Sequence, residues 1–256
     1  IIANNLNKNN ILIDLSADFR IKNANIYKKF YKIDHKSKKF LEKSVYGLSE
    51  LNEKKIKVKN IIACPGCYPT SIITPLIPLY KNKFLKKKNV IIDSKSGYSG
   101  AGRTILKKAK KINLFQSISA YGIPYHRHIA EINQELSLIS KNIKFIFTPH
   151  ILPMFRGILS TIYVEKNDNI KTEKIINFLK KFYKNHKFIR IYKKNEHIST
   201  KSVINTNYCD ISICETNDKN RIVILSAIDN LIKGGAGQAI QNLNIKFGFK
   251  INEGLK

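Results

Sequence analysis

The sequence predicts an α/β fold with a mixed, strand-rich second half, and three observations predict it. Short apolar runs flanked by polar residues, Asn10–Ser16 and Ile61–Ala63, read as strands of a parallel sheet covered on both faces. The second of these empties through Cys64-Pro65-Gly66 into a long apolar helix starting near Cys67. From Lys144 onward strand patterns dominate, and a final helical pattern closes the chain.

In chain order, Ala17-Asp18-Phe19-Arg20 leaves the first strand, and residues 21–60 read as lysine-rich connection and surface structure containing Tyr46-Gly47-Leu48-Ser49-Glu50-Leu51-Asn52. After Ile61–Ala63, Pro69 suits the first helical turn, where its missing N–H costs nothing, while Pro75 inside the same helix predicts a kink. Val90–Asp93 is a strand that runs into the glycine-rich stretch 94–103. Apolar residues at 129, 132, 136 and 139 follow helical spacing. Strands follow at 144–148 and 157–165, an amphipathic helix at 169–184, and a strand pair at 208–215 and 221–228 joined by a turn-like Asn-Asp-Lys-Asn. The segment from Asp229 opens the closing helix.

A chain of 256 residues holds one large domain or two modest ones. No apolar run approaches the ~20 residues that span a bilayer. The N-terminus lacks a basic region followed by an apolar one, so no signal peptide is expected. Four cysteines do not make a disulfide scaffold at this length, which points to a reducing compartment and a cytoplasmic protein. The net charge of +28 resembles a nucleic-acid signature, but only six of the 46 basic residues are arginine. The lysines are scattered and arrive with abundant Ile and Asn, as compositional drift would leave them; specific nucleic-acid binding is not expected.

Several residues are candidates for chemistry. Cys67 is placed at a helix N-terminus, where unpaired N–H groups and the dipole favour a thiolate and lower the cysteine pKa, fitting it to attack a carbonyl. Cys64 and Cys67 also form a Cys-x-x-Cys, open to a redox pair or, with Cys209 and Cys214, a zinc site. Pro65-Gly66 between the pair and the strand positions of Cys209 and Cys214 speak against both. His126 and His128 suit acid/base work beside such a cysteine, or are surface histidines in a basic loop. The 94–103 stretch is either an anion- or ring-binding loop or a plain flexible one.

Seven segments together resemble N-acetyl-γ-glutamyl-phosphate reductases: IDLSADFR (13–20), YGLSELN (46–52), PGCYPTS (65–71), SGYSGAGR (96–103), HRHIAEI (126–132), FTPHILPMFRGILSTIYV (147–164) and DNLIKGGAGQAIQNLNIKFGF (229–249). The wider group includes aspartate-semialdehyde dehydrogenase. The resemblance implies a Rossmann NADP-binding domain, here its remnant at 1–66, a glyceraldehyde-3-phosphate-dehydrogenase-like catalytic and oligomerisation domain at 67–228, and a helix at 229–256 returning to the first domain. It implies NADPH-dependent reductive dephosphorylation of N-acetyl-γ-glutamyl phosphate through a thioester on Cys67, a step of arginine biosynthesis. One of the two histidines, His126 in preference to His128, takes the acid/base position. Ser99, Gly100, Gly102 and Asn230 would line the nicotinamide site, and Arg103 and Arg156 would hold substrate carboxylate or phosphate. A homo-oligomer is implied as well. Alternatives are a reductase of another acyl phosphate, as in aspartate-semialdehyde dehydrogenase, or a basic nucleic-acid-binding protein that has lost catalysis. Three features depart from the family: Ala130 replaces a usual proline, Pro75 lies inside the helix after Cys67, and no strand–Gly-x-x-Gly-x-x-Gly–helix unit precedes Ile11, so the chain is expected to be N-terminally truncated.

Overall fold

The computed structural model describes residues 5, 7, 9–101 and 116–256. Two sheets organise them. Strands β1 (Leu12–Asp14), β2 (Ser44–Tyr46) and β3 (Ile61–Ala63) form a small parallel sheet in the order β1-β3-β2. The stretch 21–60, read as lysine-rich connection and surface structure, carries helices α1 (Ala24–Tyr31) and α2 (Ser49–Val58) besides β2. Lysines at 28, 29, 54, 55 and 57 dilute the apolar pattern there. The helix signal in α1 is the cap: the Asn23 side chain accepts from the N–H groups of Asn25 and Ile26.

Helix α3 (Cys67–Lys81) is the hub, with every residue from Tyr68 to Tyr80 buried. It runs on through Pro75 and Pro78 rather than stopping at either. Pro78 has no N–H for the Thr74 carbonyl, and the Tyr183 hydroxyl donates to that carbonyl instead, at 2.6 Å. A proline inside a helix thus becomes a tertiary anchor.

The second sheet has seven strands in the order β5-β6-β4-β7-β10-β9-β8: β4 (Val90–Gly97), β5 (Ser119–Ala120), β6 (Phe145–Leu152), β7 (Ile158–Glu165), β8 (Ile189–Ile191), β9 (Cys209–Glu215) and β10 (Arg221–Ile228). The β4–β6 and β8–β9 pairs are parallel and the others antiparallel, so the sheet is mixed as expected. Strand β4 continues to Gly97, through residues assigned by sequence to the glycine-rich loop. Serines 94 and 96 alternate inward there and are buried.

Helices α3, α4 (His128–Ser137) and α5 (Thr172–Phe182) supply the apolar core against one face of this sheet. The opposite face has a row of partly or largely exposed side chains in register, Ile146, Ile91, Tyr163 and Val223 on four adjacent strands. Closing helix α6 (Gly237–Phe247) follows a π turn at Ile232–Ala236 and packs on α2. Asn242 and Gln238 donate to the Gly47 carbonyl at 2.8 and 3.1 Å. Lys233, fully buried, donates to Glu50 at 2.5 Å and to Gln241 at 2.7 Å. No helix of the described residues is long and apolar enough to cross a membrane.

Candidate active site

The β3–α3 turn presents Cys67 at the first position of α3, with Gly66 as the N-cap. The N–H groups of Tyr68 and of Cys67 itself face the sulfur. Two glycines keep this corner open, one beside His128 and one beside Cys67. A Cβ on Gly66 would fall 2.4 Å from Nε2 of His128, and one on Gly234 would fall 2.6 Å from the Cys67 Cβ. The expected placement at a helix N-terminus therefore holds.

The expected thiolate does not. Burial pushes the Cys67 thiol up to about 11, and the Glu131 carboxylate adds to this; the Tyr68 N–H and the Arg20 guanidinium oppose it without prevailing. The helix terminus acts on a sulfur that its surroundings have desolvated, and desolvation is the larger effect.

Both histidines lie against the same cluster. The Tyr68 ring meets His126 and His128 edge-on at 5.6 and 5.8 Å, and the two imidazoles are 4.8 Å apart. The His128 N–H donates to Nδ1 of His126 at 3.1 Å, while Nδ1 of His128 is buried without a partner. Burial, with the neighbouring His128 and Arg127, lowers His126 to about 3; burial with Arg20 and Arg127 drives His128 well down too. Both imidazoles are therefore neutral at physiological pH.

Beneath them lies Glu131, fully buried, which the sequence reading quoted in its motif without giving it a role. It accepts from the Gly66 N–H at 2.9 Å, the Tyr46 hydroxyl at 3.0 Å and Arg20 at 3.2 Å. The sequence signals for these partners were the DFR and YGL segments themselves.

A second cluster adjoins the first at the turn after β10. Asn230 donates to the Ser99 hydroxyl at 2.9 Å and accepts from the Gly157 N–H at 2.7 Å. A Cβ on Gly100 would crowd Ser96 Oγ at 3.0 Å and Asn230 Nδ2 at 3.3 Å, so the missing side chain keeps this lip open. Arg156 is oriented by the buried Asp229 at 3.3 Å, with its side chain 30% exposed. Asp229 in turn caps the turn through the N–H groups of Leu231 and Ile232, and its carbonyl accepts from Gly234, the glycine packed on Cys67. The structure thus places His126 and His128 beside the Cys67 turn, and Ser99, Gly100, Asn230 and Arg156 in a second cluster that meets the first where Gly234 packs on Cys67. Gly102 and Arg103 lie outside the described residues. The four cysteines are free, and no group of three or more metal-ligating side chains occurs among the described residues.

The family model "Semialdehyde dehydrogenase, dimerisation domain" matches residues 67–230. An N-acetyl-gamma-glutamyl-phosphate reductase of Desulforamulus reducens is 47% identical over 95% of this chain and 70% of its own length. One from Clostridium kluyveri is 45% identical over 97% and 72%. The chain belongs to the N-acetyl-gamma-glutamyl-phosphate reductase family. Aspartate semialdehyde dehydrogenase II of Vibrio cholerae superposes with a TM-score of 0.62 over 81% of this chain and 69% of its own, at 17% identity. The enzyme from Francisella tularensis gives 0.62 over 80% and 71%, at 16% identity. At that identity the likeness is one of fold.

Proposed function

We propose that this chain catalyses the NADPH-dependent reductive dephosphorylation of N-acetyl-γ-glutamyl phosphate to N-acetylglutamate 5-semialdehyde. The observation that carries the reading is a cysteine at a helix N-terminus whose two neighbours in the chain meet the histidines: Gly66 lies against His128, and the Tyr68 ring meets both His126 and His128. In this reading an imidazole takes the proton of the thiol as the sulfur attacks the acyl carbon. His126 is the preferred base, with His128 packed behind it. The C–S bond forms, the C–O bond to phosphate breaks, and phosphate leaves with the electron pair, giving a thioester on Cys67. The exposed fork of Arg156, held by Asp229, is the described group suited to a carboxylate or phosphate of the substrate.

The nicotinamide cofactor would supply the hydride when bound. With the thioester carbon reduced, the C–S bond breaks, the Cys67 sulfur leaves with the electron pair and recovers its proton from the imidazolium, and the aldehyde is freed. Ser99 and Gly100 form the open lip suited to a flat ring, with Asn230 fixing Ser99 from behind, since both ends of its amide are engaged within the protein. Dependence on NAD(P)H follows from the family, and NADPH is the form proposed. Residues 1–66 and the helix after 229 would serve the cofactor side, and residues 67–228 the catalytic side. The open face of the seven-stranded sheet, through Ile91, Ile146 and Tyr163, is the proposed contact with a second copy, in keeping with a domain described as one of dimerisation. A cytoplasmic setting suits four free cysteines.

Phosphate release in a single turnover tests the chemistry, because acylation needs no cofactor. Cys67→Ser is expected to abolish it, and His126→Asn to slow it by ~10²-fold or more. Release by Cys67→Ser at the parental rate would end the covalent reading.

A further inference from the structure

We propose that Glu131 is a positioning residue for this reaction, clamping the Cys64-Pro65-Gly66 turn so that Cys67 and the histidines stay in reactive register. The inference rests on Cys67 being the nucleophile. The clamp has two jaws joined by an ion pair. Arg20 donates Nε to the Cys64 carbonyl at 2.7 Å, and Glu131 accepts from the Gly66 N–H at 2.9 Å. Arg20 and Glu131 meet at 3.2 Å, so both polar ends of the turn are gripped by one salt bridge. Glu131 also lies one helical turn from His128 on α4, with Nε2 of that histidine 3.9 Å away. A single carboxylate therefore fixes the nucleophile's turn to the helix that bears a histidine.

The chemistry at this position selects a carboxylate. Its three hydrogen-bonding neighbours, the Gly66 N–H, the Tyr46 hydroxyl and Arg20, all donate. Glutamine in its place must turn its NH2 toward one of them, leaving two donors opposed in a fully buried site. The carboxylate is unfavourable to a thiolate at Cys67, so its presence is not explained by thiol activation. Geometry accounts for it, since a displacement of about 1 Å in a reacting group can cost about 10²-fold in rate.

The test sets Glu131→Gln beside Cys67→Ser in the full chain. With N-acetyl-γ-glutamyl phosphate in a single turnover, Glu131→Gln should slow phosphate release about 10²-fold. Iodoacetamide labelling of Cys67 near neutral pH should accelerate instead, with Cys64 and Cys209 still protected, because removing the charge lowers the thiol pKa. That opposite response separates positioning from loss of structure. Phosphate release within about tenfold of the parent overturns the proposal. If Cys67→Ser itself releases phosphate normally, the nucleophile assignment has failed, and the clamp with it. If Cys64 and Cys209 become reactive, Arg20→Lys carries the test, because lysine keeps the charge but loses the fork that reaches both Cys64 and Glu131. Slowing by about tenfold or more then supports the clamp, and a smaller effect overturns it.

Discussion

Cys67 shows how far a local rule reaches at the scale of one residue. The first turn of α3 offers its N–H groups to the sulfur, yet burial pushes the thiol up to about 11. Such a cysteine needs a proton acceptor to react near neutrality, the role proposed for His126. The raised pKa predicts that iodoacetamide labelling of Cys67 in the free protein climbs about tenfold per pH unit through neutrality and on toward pH 11. Peptide-resolved mass spectrometry across pH 6–10 checks this. A plateau reached below about pH 8 would show a thiolate already formed.

At the scale of elements, α3 carries two prolines and survives because a neighbour replaces what one of them removes. The Tyr183 hydroxyl, just beyond α5, serves the Thr74 carbonyl freed by Pro78. Tyr183→Phe should therefore cost about 1–3 kcal/mol, the cost of leaving a buried carbonyl without its partner. Urea unfolding reads this as a shift in midpoint at constant slope. An unchanged midpoint would mean that the helix tolerates the open carbonyl. Closing helix α6 is seated in a similar way, by polar side chains: Gln238, Gln241 and Asn242 reach Gly47 and Glu50 across a dry interface. A helix seated through amides and an ion pair is directional, so its register against α2 is set more tightly than apolar contact alone would set it.

At the scale of the whole molecule, the seven-stranded sheet has one face under α3, α4 and α5 and the other studded with Ile91, Ile146 and Tyr163 in one row. An apolar row continuous across adjacent strands is more than the scattered exposed side chains usual on a monomer. Charging its centre through Ile91→Asp is expected to convert the proposed dimer to monomer in sedimentation velocity, with the far-ultraviolet spectrum unchanged. Sedimentation of the variant with the parental mass would move the interface elsewhere. The charge of +28 acts at this scale too, as a general field on its partners.

The sequence by itself determined the strand–turn–helix around Cys67, the helix that follows His128 and the alternating strands of the second half. Each is written in neighbouring residues: Pro65-Gly66 for the turn, helical spacing after His128, period-two burial in β7. Helices α1 and α2 were hidden because lysines fill their exposed faces and leave little apolar pattern to read. Only the tertiary structure decided what surrounds the sulfur. Arg20 and Glu131 are 111 residues apart and Tyr46 and Glu131 are 85 apart, so no local pattern announces that they meet. The direction of the Cys67 pKa belongs to the same class. A helix terminus is encoded within a few residues, whereas desolvation is the sum of everything that packs around them, and here it outweighs the dipole.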